Sequence, residues 1–144
     1  MKNYFITWIG GVCFLFASLL GQAQQIGTLT IKATHFESAK GAAVVQLFRE
    51  HDDIPEKPFM KSTGTVVNHE STLVLSNVPY GEYAIILFHD ENGNGILDHK
   101  FGFPNESMGF SNEWKLSLFS GMPTFQKLKF TFSEKENVWI IKLR

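Results

Sequence analysis

Cysteine is almost missing from this chain. Of 144 residues only Cys13 carries a thiol, and it sits in an apolar run from Tyr4 to Leu20. That run follows the short positive start Met1-Lys2-Asn3 and ends in Gly21-Gln22-Ala23, the small residues a signal peptidase reads. The pattern predicts a secretory signal peptide over residues 1–23, cleaved after Ala23, and so a periplasmic or secreted protein. An uncleaved anchor is the competing reading. The run is near the lower length for spanning a bilayer, however, and no basic stop-transfer cluster follows it. Val12 is not the small residue that a lipoprotein signal places before its cysteine, so no lipid anchor is expected. The mature chain, 144 − 23 = 121 residues, would be one domain over 24–144 with no cysteine at all. Disulfides, thiol catalysis and cysteine-bound zinc drop out, and the core alone must hold the fold.

Charge of one sign is scarce too. Thirteen basic residues face 14 acidic ones, and without Lys2 the balance is 12 − 14 = −2. Nothing there attracts nucleic acid or an anionic membrane surface, and no membrane insertion is expected once the signal is removed. The histidines (35, 51, 69, 89 and 99) form no H-x-H, H-x-x-x-H or H-E-x-x-H pair, so no zinc site is signalled. No G-x-S-x-G occurs, which removes the commonest serine-nucleophile signature. Long helical periods are missing as well. Phenylalanine is what abounds: 14 in all, of which three lie in the signal, as suits a sheet-rich, aromatic core.

Short apolar runs separated by turn residues carry the rest. Thr28 to Ala33 alternates, with Leu29, Ile31 and Ala33 inward. Ala42 to Phe48 has Val45 and Leu47 on one face, Val44 and Phe48 on the other. Ile54 to Pro58 is a proline-bearing loop, leading to a weaker strand near Thr63 to Val67. Ser71 to Val78 places Leu73 and Leu75 together. Glu82 to His89 is apolar on both faces (Tyr83, Ile85, Leu87 against Ala84, Ile86, Phe88), which predicts a central strand covered on both sides. Lys100 to Pro123 is irregular; Lys127 to Phe132 alternates again through Leu128, Phe130 and Phe132; Val138 to Leu143 is the final strand. About seven short strands predict an all-β, antiparallel Greek-key sandwich.

One segment breaks this grammar. In Asp90-Glu91-Asn92-Gly93-Asn94-Gly95-Ile96-Leu97-Asp98, oxygen-bearing side chains alternate and glycine takes the sixth place. Against a twelve-residue calcium loop, Asp90, Asn92 and Asn94 hold places one, three and five. Ile96 offers a carbonyl from seven, and Asp98 acts from nine. Place twelve is Phe101 instead of a bidentate glutamate, and a strand enters where an EF-hand has a helix. Two carboxylates and two neutral amides predict weak calcium binding, with Kd about 10⁻⁴ to 10⁻³ M. A cation-free turn built on Asx hydrogen bonds is the equal competitor.

The run Leu75…Pro79-Tyr80-Gly81-Glu82-Tyr83-Ala84, then Phe88 to Asp98, then Gly102…Pro104 and Gly109-Phe110-Ser111-Asn112, resembles a bacterial exported family catalogued as domain of unknown function 2141. The resemblance covers roughly Gly27 to Leu143 and implies export and a β-sandwich, with no established activity. The turn before the strand that ends in the acidic loop is also similar to prealbumin-like or Cna-B-like modules, Greek-key sandwiches of secreted surface proteins. Fold likeness does not carry function with it. The Cna-B-like resemblance raises a Lys32–Asn137 crosslink assisted by Glu82, but Lys32 falls on the polar phase of its strand.

The remaining candidates are modest. His89, beside Asp90, reads as a strand-end histidine bonded to a loop, because strand neighbours point to opposite faces. Ser111 and Asn112 read as backbone-bonding residues over a packed Phe110. The aromatic segment Phe101-Gly102-Phe103-Pro104…Phe110…Trp114 offers a platform for a carbohydrate or small ligand. The expectation is therefore a non-enzymatic exported module with an unknown protein or glycan partner. Calcium at Asp90–Asp98 and a ligand at the 101–114 loop are its two candidate sites.

Overall fold

Strand β1 (Ile26–Thr34) shows how the pattern becomes a layer. Leu29, Ile31 and Ala33 are fully buried, while Lys32 between them is exposed, as alternation along a strand requires. β1 pairs antiparallel with β4 (Glu70–Pro79), setting Ile31 opposite Leu73 and Leu29 opposite Leu75. On its other side it pairs parallel with β10 (Val138–Lys142). The computed structural model describes residues 24–117 and 119–144; the predicted signal peptide and its cleavage site lie outside them.

A second sheet runs β3 (Met60–Thr65), β2 (Ala42–Phe48), β5 (Gly81–Asp90), β8 (Met108–Phe110), with β9 (Phe130–Phe132) pairing the start of β5. Leu29, Ile31, Leu73 and Leu75 of the first sheet meet Val45, Leu47, Ile85 and Leu87 of the second in one buried cluster. Two sheets facing each other across a shared core form a β-sandwich. A small ribbon, β6 (His99–Lys100) with β7 (Phe103–Pro104), projects from it.

The central strand is as expected. Every residue of β5 from Tyr83 to Asp90 is buried, and Val44, Phe48, Ala84, Ile86 and Phe88 form a second cluster on the outer face. The cover comes from the stretch that shows no sequence period: Met108, Phe110, Phe125 and Leu128 close over that face. Truncating a fully buried leucine or isoleucine of either cluster to alanine costs about 2–5 kcal/mol.

Three details differ from the sequence-based expectation. The described residues form ten strand segments, four of only two or three residues, instead of about seven. Pairing is antiparallel except for β1 with β10. The strand expected from Lys127 begins at Phe130, and Leu128 belongs to one helical turn, α1 (Phe125–Leu128). Phe125 and Leu128 lie three residues apart on that turn, so both face the sheet. The alternation 128, 130, 132 hides the change, because each of the three points inward for its own reason.

Gly41 ties the sandwich to the loop beyond β5. Its φ is +66°, and a Cβ there would lie 1.9 Å from the Asp90 carbonyl oxygen. Only glycine lets the β1–β2 connection cross the end of β5 so closely.

Candidate functional site

The Asp90–Asp98 loop is organised around one buried carboxylate. Asp90 is 2% exposed, and its Oδ1 accepts from the backbone N–H groups of Gly93 (2.8 Å) and Asn94 (3.1 Å), its Oδ2 from Gly95 (2.7 Å). Gly95, at φ +77°, supplies the left-handed turn that brings its N–H back to Asp90. Asn92 Oδ1 accepts from Asn94 N–H (2.9 Å) and Asn94 Oδ1 from Ile96 N–H (2.8 Å), which are successive Asx turns. Lys61 on β3 donates to the Gly95 carbonyl.

The same geometry tests the fit to a cation. The structure brings four of the five expected ligand residues together: Asn92 Nδ2 donates to Asp98, and Asn94 Nδ2 lies 3.1 and 3.2 Å from the Asp98 oxygens. Asp90 binds the backbone of the same turn. Ile96 is exposed at the rim, 63% accessible. Two carboxylates, two amides and a carbonyl are hard oxygen donors of the kind calcium takes. The amide nitrogens, however, face Asp98, and the amide oxygens hold backbone N–H groups. A cation gripped by the full set must displace those bonds, so the fit is partial. Among the described residues, no three His, Cys, Asp or Glu side chains converge as a metal cluster.

Next to the loop lies an acidic cleft of about 230 Å³, bordered by Glu37, His89, Glu91, Asp98 and Glu106. His89 is 1% exposed; its Nε2 donates to the Lys40 carbonyl at 2.8 Å, and its Nδ1 is 3.7 Å from Glu91. It is bonded to the β1–β2 loop and turned from Asp90, as the strand geometry predicts. Burial pushes the Glu106 carboxyl above its ordinary range. The neighbouring charges of Asp90 and Asp98 add to that, against the lowering hydrogen bond from Asp98 N–H.

The second candidate region is a groove of about 870 Å³ along the seam between the β8 edge and β10. Phe103, Trp114 and Trp139 line it together with Lys115, Lys142 and Arg144. At one end Met108 and Arg144 exchange backbone hydrogen bonds of 3.2 and 3.0 Å, closing the seam. Asn112 and Glu113, also in the lining, have φ of +56° and +52°. Left-handed backbone at two consecutive residues with side chains costs about 1–3 kcal/mol each. Ser111 holds the turn in place: its Oγ accepts from Ile85 N–H (2.9 Å) and donates to the Leu128 carbonyl. Asn112 Nδ2 donates to Lys127 O at 3.1 Å. The structural reading of Ser111 and Asn112 therefore describes their contacts.

Of the aromatic segment, Phe103, Phe110 and Trp114 reach the groove, whereas Phe101 stands 92% exposed outside it. Glu82 pairs with Lys129 at 3.2 Å and Lys32 faces outward, so the crosslink trio is not assembled.

A family of bacterial proteins described as "Uncharacterized protein conserved in bacteria (DUF2141)" matches the chain over residues 31–139. That span holds the second sheet, β4, parts of β1 and β10, the acidic loop and most of the groove lining. The chain belongs to the DUF2141 family. No curated protein and no solved structure matches it. Two features of this DUF2141 chain escape a sequence reading. Trp139, Lys142 and Arg144 form a groove wall only because β10 docks parallel to β1, a pairing no local pattern announces. Glu106 touches both the cleft and the groove; its place out of register with the calcium loop is the single hint.

Proposed function

We propose that this protein is an exported, non-catalytic module with a prealbumin-like Greek-key topology, working in the periplasm or outside the cell, whose Asp90–Asp98 loop takes calcium weakly. The supporting observation is the clustering of Asp90, Asn92, Asn94 and Asp98 on one turn, with glycine at the sixth place. Asp90 is committed to the loop backbone, so it is the wrong residue for a clean test. Asp98 accepts only side-chain amides through its carboxylate and is the better probe. Millimolar calcium raises the melting temperature of the protein, and Asp98→Asn removes the rise. A melt that calcium leaves unmoved in the parent chain sinks the cation reading.

The seam groove supports a second reading: a binding module that meets a protein or glycan partner, or a small ligand, at the aromatic 101–114 segment. Its carrying observation is the convergence of Phe103, Trp114 and Trp139 on one groove, since aromatic surface gathered in a concavity is how ligand sites are commonly built.

A further inference from the structure

The groove's lining narrows what can occupy it. Two tryptophans occur among the described residues, Trp114 and Trp139, and both line this groove. Each is braced from behind by a buried phenylalanine: Phe110 meets Trp114 edge-on at 4.8 Å, and Phe130 lies 4.3 Å from Trp139. Rings held in this way keep their orientation when a ligand arrives, which reduces the ordering cost of binding.

The polar lining is of two kinds. Lys142 and Arg144 are exposed and take part in no ion pair among the described residues, and Lys115 adds a third cation to the wall. Asn112 and Glu113, fixed in left-handed conformations, offer an amide and a carboxylate. Cations match a carboxylate-bearing ligand, Arg by a two-pronged bond. Neutral and acidic oxygens match hydroxyl groups, and the indole rings match the apolar faces of a sugar.

From this juxtaposition we infer that the seam groove binds an acidic oligosaccharide, with its carboxylates at Lys142 and Arg144 and its sugar rings against Trp114 and Trp139. This rests on the groove reading above and gives the ligand its chemical class; it is independent of the calcium loop.

The test uses the full chain carrying Trp8→Phe, so that both remaining indoles report on the groove. Tryptophan emission is titrated with tetragalacturonate, neutral cellotetraose and tetra-aspartate, in a calcium chelator. The expected result is a saturable change with tetragalacturonate, at least tenfold weaker with the other two. A Lys142→Ala, Arg144→Ala double variant loses at least tenfold in affinity with its melting temperature unchanged. Equal binding of tetra-aspartate reduces the effect to charge attraction and overturns the saccharide class. Preference for cellotetraose overturns the acidic class and leaves the groove reading standing. Silence with all three probes overturns the inference.

Discussion

The two ends of the candidate surface handle their polar groups in opposite ways. In the Asp90–Asp98 loop nearly every side-chain oxygen and amide already has a partner in the loop itself: Asp90 with three backbone N–H groups, Asn92 and Asn94 with both backbone and Asp98. In the seam groove the cations of Lys142 and Arg144 stand outside any ion pair of the described residues, and two tryptophans line a concavity that their own chain leaves open. A loop satisfied by its own hydrogen bonds is stable without a ligand and gains little from one. A groove with unmatched charge and gathered aromatic surface is where a partner adds most. The loop carries the recognisable motif, and the groove carries the larger unmet capacity.

The largest effect is expected at the root of the loop. Gly41→Ala places a methyl group 1.9 Å from the Asp90 carbonyl oxygen at a φ of +66°, so either the β1–β2 connection or the end of β5 must move. The expected loss is more than about 4 kcal/mol, read by chemical denaturation, and the loop and cleft should lose amide-exchange protection along with it. A cost near 1 kcal/mol would mean that the loop's root is pliant.

Next in size is Asp90→Ala. It strips three N–H groups of a charged, buried acceptor, and bonds to charged groups are individually among the stronger ones. The expected loss is about 3 kcal/mol in chelator, and larger in calcium by what the cation contributes to the parent. A loss that appears only when calcium is present would make Asp90 chiefly a ligand, and would collapse the picture of a self-supporting loop.

Much of this architecture can be read from the residues. The inward sets of β1, β2 and β5 are correct residue by residue, because a strand's period of two maps directly onto burial. The loop's spacing likewise places Asp90, Asn92, Asn94 and Asp98 together. What stays hidden depends on distant contacts. The parallel docking of β10 on β1 leaves no local mark, and with it the groove wall of Trp139, Lys142 and Arg144 is invisible. The turn of α1 is masked because Leu128 points inward whether the backbone is strand or helix. The direction of the Asn92 and Asn94 amides, which limits how well the loop would fit a cation, depends on Asp98 folding back and not on spacing.

A smaller effect is expected within the loop itself. Asn94→Asp sets a third carboxylate beside Asp98, where an amide now donates at 3.1 Å. In chelator the variant is less stable than the parent through like-charge repulsion. In calcium the order reverses, since an added carboxylate tightens a hard-cation site. At calcium tenfold above the variant's Kd, binding contributes about 1.4 kcal/mol. If the variant remains the weaker protein at every calcium concentration, the loop is a turn and nothing more.

The smallest effect lies where the two regions touch. Glu106 lines both the acidic cleft and the groove, and burial, with Asp90 and Asp98 nearby, raises its pKa in the folded chain. A carboxyl whose folded pKa lies above its unfolded one binds its proton more tightly when folded. Its ionised form is therefore a cost to stability at neutral pH, and that cost fades as pH falls through the raised value. Glu106→Gln removes the charge and keeps an oxygen for the Asp98 N–H. In chelator it should be more stable than the parent at pH 7, and the gap should close on acidification and vanish below the unfolded carboxylate range, about pH 4. Added calcium should shrink the gap at pH 7, because a cation on Asp98 offsets the repulsion that Glu106 feels. A gap that is constant across pH would mean that Glu106 is fully solvated, and that cleft and groove are electrostatically separate.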